Sequence, residues 1–442
     1  MKWVFVGAFI VLGLLTIPAY RGSHEPVAAG KTRIVWISDD NPVRKGQIAL
    51  FNKVHPEIEL KLDPTNAGME KVIVQSLAGV GPDLFDCYNP FQLSAYVRAG
   101  IASDITDDMK NIGVDVAKVI WPAVAVTCVL DDRAYGFPCN AACDAIWYNK
   151  KLFDQAKLPY PDHQMTWDEL IALAKRLTIR GDDGKVKQFG MLCDWWQWQS
   201  FVAMWGGSIY SADGTKCVVD SPEAIAAVQF LHDLIYVHKV MPSPADEAAA
   251  TQGGWGSGTI SFFSGDKGAM AFGGRWWLCT LRMSPELRTG VTPSPFGPGK
   301  CYRGYGRSTL LSRNSKNRAA ALEFLKYLAG PDYNQLLNDQ GDALAPVPAY
   351  CQGDRFLHNP KYPQETYNQV WADAMAQGVP DQISPYVNGN LANRILTKQL
   401  DLVKNNQKSA ADALRSAAKR INEEIAKSRA RIGGAASKGG QQ

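Results

Sequence analysis

The sequence predicts an α/β protein with a parallel first sheet and a second lobe, on three observations. Its 442 residues suffice for two or three domains at about 150 residues each. Between residues 32 and 86, β-rich and helix-periodic stretches alternate, the rhythm of a parallel α/β sheet. From Asp131 the pattern changes to extended segments suited to carrying the chain into a second unit.

The elements follow in order. Residues 32–37 form a β-rich run closed by the turn Ser38-Asp39-Asp40-Asn41. Residues 43–54 read as a helix with Ile48, Leu50, Phe51 and Val54 mostly on one face, and His55-Pro56 ends it. Ile58-Glu59-Leu60-Lys61-Leu62 alternates like a strand. A helix over 69–77 leads through Gly79 and Gly81-Pro82 into a short strand at 83–86. Parallel sheets bind ligands beyond their C-terminal strand ends, which here carry Asp39, Asp86 and Tyr88 as candidates. Residues 134–138 and 145–149 read as extended. Thr166 caps a helix through Leu177, with Glu169 completing a capping box. Asp220-Ser221-Pro222-Glu223 opens a helix over 224–237, its proline at an allowed first-turn position. Residues 316–328 and 405–425 are further helices, and the Gly/Ala/Ser/Lys-rich tail 431–442 is predicted to be disordered. There is no internal repeat.

The formal charge of +4 is too small to suggest a nucleic-acid partner. From Lys398 onward there are ten Lys/Arg against four Asp/Glu, which leaves residues 1–397 at −2. A near-neutral body suits an uncharged or weakly charged small molecule. Met1-Lys2 precede an apolar run over 3–17, the form of a secretory signal; extended through Tyr20 it also fits an uncleaved anchor. Residues 1–29 therefore read as export segment plus spacer. No Cys precedes Cys87, which excludes a lipid-modified N-terminal cysteine. The nine Cys leave at least one free thiol, and their pairing cannot be read from spacing. Cys139 and Cys143 lack the companions of a zinc site and read as small buried residues.

Thirteen Trp fall partly in clusters. Asp194-Trp195-Trp196-Gln197-Trp198 gathers three indoles and an acid; on a core strand adjacent Trp would point to opposite faces, so not all would be buried on one side. Arg275-Trp276-Trp277 follows Gly273-Gly274, a pair that permits close backbone approach. Trp255 lies in a Gly-rich stretch where no regular element buries it. Tyr305 and Arg307 precede a strand, and Asn388 sits in Tyr386-Val387-Asn388-Gly389-Asn390. Sugar recognition needs these types: aromatic faces against pyranose C–H surfaces, and planar Asp, Asn and Arg groups for hydroxyls. Each Trp has core burial as its alternative.

A set of segments in fixed order resembles one family. Residues 34–40, Gly81-Pro82-Asp83-Leu84 and Ala99-Gly100-Ile101-Ala102-Ser103-Asp104-Ile105 come first. Tyr135-Gly136-Phe137-Pro138, Trp147-Tyr148-Asn149-Lys150-Lys151-Leu152-Phe153 and Met165-Thr166-Trp167-Asp168-Glu169-Leu170 follow. Ser264-Gly265-Asp266-Lys267-Gly268-Ala269-Met270, Gly273-Gly274-Arg275-Trp276-Trp277 and the helix 314–325 complete the set. The chain resembles extracytoplasmic solute-binding proteins of carbohydrate ABC importers, the maltose-binding-protein-like class. The resemblance implies a two-lobed periplasmic-binding-protein fold closing on ligand by a hinge. It implies crossings near 139–143, 287–292 and 338–344, with one lobe at 30–140 and 290–340 and the other at 141–289 and 341–430. It also places Asp194 and Trp196 at an acid and a stacking aromatic of the cleft, and Trp276 at a stacking position. The implied function is capture of a sugar or oligosaccharide for membrane permease subunits, by an exported, periplasmic monomer.

Enzyme readings find little support. Ser264-Gly265-Asp266-Lys267 matches S-x-x-K without its companion motifs, and the loop 253–259 lacks a phosphate-binding Lys. The six His show no metal-ligand spacing. The expectation is a binding protein without catalysis, metal or cofactor. The alternatives are a ligand-sensing receptor component, or a binder of a polyamine or a phosphate ester.

Overall fold

The computed structural model describes residues 26–65, 68–250 and 258–439. The proposed export segment and Trp255 lie outside the described residues. Among the described residues no helix is long and apolar enough to cross a membrane.

Two five-stranded sheets organise the chain. The first runs Ile58–Asp63, Thr32–Ile37, Leu84–Cys87, Tyr305–Leu311, Gly136–Ala142. Its first three strands are parallel, with Thr32 opposite Ile58 and Trp36 opposite Leu84, while Tyr305–Leu311 runs antiparallel to both neighbours. The second runs Thr289–Thr292, Asp144–Asn149, Gly268–Gly274, Val186–Leu192, Ile179–Arg180. Only Cys143 separates the first-sheet strand Gly136–Ala142 from the second-sheet strand Asp144–Asn149. The chain therefore passes between sheets in a single residue. It returns over 293–304, because Thr289–Thr292, expected at a crossing, pairs with Asp144–Asn149 as an edge strand. A third segment passes alongside, where Leu344 bridges Ala141.

Caps set the element ends. Asn89 accepts from the Gln92 amide at 3.0 Å and Pro90 opens the helix Pro90–Arg98. Thr166 and Glu169 form the capping box of Trp167–Leu177, and Ser221 caps Pro222–Tyr236. Two expectations are corrected. The helix foreseen over 405–425 begins only at Ala410, because residues 405–409, with Asn406 at φ 55°, turn the chain after the preceding helix Gly389–Lys404. The tail foreseen as disordered continues the helix that starts at Ala410 as far as Gly439. Buried Ala413, Leu414, Ala417, Ala418 and Ile421 anchor that helix, and extending an anchored helix needs no new nucleus.

All nine cysteines are thiols, eight of them buried. Burial pushes the Cys139 and Cys217 thiols up to about 11 and those of Cys128, Cys279 and Cys351 to about 12. They behave as small apolar side chains.

Candidate functional site

Where the two sheets face each other lies a cavity of about 690 Å³, a size usual for small-molecule sites. Asp39, Asn41, Tyr88 and Asn89 line it from beyond the strands Thr32–Ile37 and Leu84–Cys87. The parallel sheet thus presents its C-terminal strand ends to the cavity. The opposite wall is aromatic: Trp195, Trp196 and Trp276, with Tyr305 between the lobes.

The tryptophan cluster is a turn and not a strand. After Val186–Leu192, the Asp194 amide donates to Gln197 Oε1 at 3.2 Å. A 3₁₀ turn over Trp195–Gln197 then feeds the helix Trp198–Met204. The turn fans the indoles apart: Trp196 is 46% exposed, Trp195 half-buried and Trp198 buried. The other wall residue depends on a glycine. A Cβ on Gly274 would lie 2.5 Å from the Trp276 indole, so only glycine lets that ring fold back over its own strand. Trp277 points the other way, fully buried and stacked at 6.4 Å on Trp147. Trp276 Nε1 donates to Tyr305 Oη at 3.4 Å, and Trp196 meets the Tyr305 ring edge-on at 5.8 Å. Three rings from three elements form one surface.

The floor is ionic. Asp39 pairs with Arg44 at 2.9 Å and with Arg307, and Tyr88 Oη donates to it at 3.4 Å. Burial raises the Asp39 pKa, but Arg307 and Arg44 overcome this and hold it well below the usual carboxylate range. Arg303 grips Asp381 with two hydrogen bonds, at 2.5 and 2.8 Å, while lying over the Tyr305 ring at 4.9 Å. Arg303 Nη1, Arg307 Nη2 and Trp195 Nε1 are buried donors with no hydrogen-bond acceptor.

Trp276, Trp196, Trp195, Asp39, Tyr88, Tyr305 and Arg307 thus meet at one cavity. Four other candidates stand elsewhere. Asp194 sits behind the wall: burial raises its pKa, and hydrogen bonds from Thr259 and Trp196 oppose that, so it braces the turn. Asp86 lies beneath the floor, accepting from Trp36 at 2.8 Å, Ser38 at 2.6 Å and Thr309 at 3.0 Å. Arg275 is buried, donating to Asn368 at 2.8 Å and to the carbonyls of Asn338 and Ala343. It holds the third crossing in place. Asn388 caps Gly389–Lys404, accepting from the Leu391 amide at 3.1 Å.

Sequence reasoning missed Arg303, Asn140, Asp342 and Asp381, which line the cavity from the crossings and the loops around them. It also missed one face of Gly389–Lys404, where Asn390, Asn393, Thr397 and Leu400 reach the cavity. Their three- and four-residue spacing was a visible signal, but a polar helix face usually means solvent.

A family model described as bacterial extracellular solute-binding protein matches residues 37–335. A putative binding protein of Brucella abortus is 26% identical over 348 residues, 76% of this chain and 80% of that protein. The fold is similar to an ABC substrate-binding protein of Listeria monocytogenes in complex with cycloalternan. That match has a TM-score of 0.76 at 22% identity and covers 90% of this chain and 99% of that one. It is also similar to the maltose/maltodextrin-binding domain of Bdellovibrio bacteriovorus bound to maltotriose. There the TM-score is 0.72 at 20% identity, over 89% of this chain and all of that one.

Proposed function

The chain belongs to the bacterial extracellular solute-binding proteins, and on that premise we propose that it captures a neutral oligosaccharide outside the cytoplasm for an ABC-type permease. One observation carries the reading: a wall of Trp196, Trp276 and Tyr305 faces a floor of carboxylates, amides and arginines across a single cavity. Flat rings cover the C–H faces of a sugar, and planar polar groups take its hydroxyls.

Charge pairing supports a neutral ligand. Arg307 is held by Asp39, and Arg303 by Asp381, so neither is a free cation for a phosphate ester. The same pairs neutralise two of the carboxylates that a polyamine would need. The solute-binding family and the chemistry of the cleft support binding without turnover, by an exported monomer whose permease reads the closed lobes.

A thermal-shift screen tests this with maltose, maltotriose and an arabino-oligosaccharide, against spermidine and glycerol 3-phosphate. Binding to the native state raises Tm by mass action. A neutral glycan should give the largest rise and be recovered unchanged. A shift with spermidine or glycerol 3-phosphate alone would overturn the carbohydrate reading.

A further inference from the structure

Asp144 is the first residue of the second-sheet strand Asp144–Asn149, one position past the crossing at Cys143. The residue is 3% exposed. Oδ1 accepts from Tyr305 Oη at 2.8 Å and from Gln197 Nε2 at 3.0 Å, and Oδ2 accepts from Ser200 Oγ at 3.0 Å. Tyr305 belongs to the first sheet. Gln197 closes the turn that displays Trp195 and Trp196, and Ser200 lies on the helix that follows. Tyr305 Oη in turn accepts from Trp276.

We propose that the Asp144 carboxylate is the positioning group of the aromatic wall, fixing rings from both lobes to one point beside the hinge. The proposal rests on the reading of this cavity as the glycan site. A buried carboxylate is costly unless it is well hydrogen-bonded. A carboxylate makes charge-assisted bonds, shorter and stronger than neutral ones, and so holds Tyr305 and the tryptophan turn more firmly. Asp144 touches no ligand itself; it acts through Tyr305 and Gln197.

The surroundings support a readable titration. Burial raises the Asp144 pKa to about 6, opposed by Tyr305, Arg303, Ser200 and Gln197. The ionisable groups around it are Arg303 and Tyr305 from the returning segment, Cys193 from the end of Val186–Leu192, and its neighbour Cys143. Burial holds the Tyr305, Cys193 and Cys143 groups well above their usual values, and Asp381 keeps Arg303 charged. Between pH 5 and 8 none of these four changes charge. Asp194 is the other carboxylate of the turn; burial raises its pKa too and it accepts from Trp196, so Asp194→Asn is measured beside Asp144→Asn to separate the two.

The test uses the full chain as wild type, Asp144→Asn, Tyr305→Phe and the double variant. Tryptophan fluorescence and its acrylamide quenching are followed without ligand from pH 4.5 to 8, and maltotriose binding is measured by calorimetry at pH 5 and 7.5. The wild type should show a transition near pH 6, with weaker binding on the acid side. Asn is neutral at every pH and puts an NH2 donor where one of the two acceptor oxygens stood, so Asp144→Asn should lack the transition and bind about 5- to 30-fold more weakly at pH 7.5. Its Tm at that pH should be unchanged or higher. Tyr305→Phe should weaken binding about 3- to 10-fold, and the double variant should be no worse than the poorer single one. If Asp144→Asn fails to fold, Tyr305→Phe still reads the cross-lobe bond with Asp144 intact. Wild-type affinity and an unchanged pH transition in either variant would overturn the proposal. If maltotriose binds none of the proteins, the carbohydrate reading fails for that probe, while loss of the transition in Asp144→Asn still upholds the positioning role.

Discussion

Trp276 and Trp277 are neighbours with opposite fates, and the difference is testable side by side. Trp277 is fully buried against Trp147, whereas Trp276 lies half-buried on the cavity wall. Trp276→Ala should weaken glycan binding by roughly 30-fold, about 2 kcal/mol for a lost aromatic anchor, with Tm nearly kept. Trp277→Ala should instead cost about 3–5 kcal/mol of stability. Affinity and Tm on both variants check this; a badly destabilised Trp276→Ala would put that ring in the core. Asp144 carries a pH signature in stability as well. Its pKa stands at about 6 in the folded protein against 3.8 in the unfolded chain, because of burial. Between those values the folded state keeps a proton that the unfolded state has lost, so this contribution is full below about pH 4. It falls away as pH rises to 6, by about 3 kcal/mol. Denaturant unfolding at pH 4.5 and 7.5 should give a smaller difference in Asp144→Asn than in wild type. An equal difference would place the proton elsewhere.

Local signals settled the helices best where side chains closed the ends. Thr166 and Glu169 form the predicted capping box, and Ser221 with Pro222 opens the next helix as read. Thr166→Ala should therefore cost about 1 kcal/mol of stability and leave glycan affinity unchanged, since the cap lies outside the cavity wall. Urea unfolding and calorimetry on one preparation decide it. The gap and the misreading are of another kind. The tryptophan turn, for which the sequence predicts no element, lacked periodicity of either sort, being one 3₁₀ turn set by the Gln197 side chain. The C-terminal extension looked disordered by composition, yet it grows from a helix already packed on Pro222–Tyr236 and Gly389–Lys404.

The lobes meet beyond the hinge as well as at it. Arg98, on the helix after the third strand, donates to the Pro385 carbonyl at 2.8 Å, and Asn390 to Glu70 at 2.5 Å. If the two lobes move apart, these two bonds must break. A ligand that touches both lobes shifts the open–closed balance by its differential contacts. Small-angle scattering should therefore give a smaller radius of gyration at saturating glycan than without it. An identical profile at saturation would mean a rigid site. The closeness of the crossings favours hinge motion: Cys143 alone links the two sheets at the first passage, and Ala141 and Leu344 hold the third beside it.

Sequence alone determined the α/β rhythm, because strand and helix periods and caps are properties of neighbours along the chain. It also identified Asp39, Tyr88, Trp196, Trp276 and Tyr305 as ligand-facing candidates, since aromatic clusters and strand ends stand out without a fold. The tertiary structure alone decided which polar residues belong to the cavity and which merely hold it. Asp86, Arg275 and Asp144 are buried beside the site and Asp194 is half-buried there, and no local pattern separates a carboxylate that meets a ligand from one that anchors a ring. That choice depends on what lies across the cleft. Tyr305 stands 161 positions from Asp144, and Arg307 stands 268 from Asp39. Contacts at such separations arise only when two sheets have packed and the chain has crossed between them.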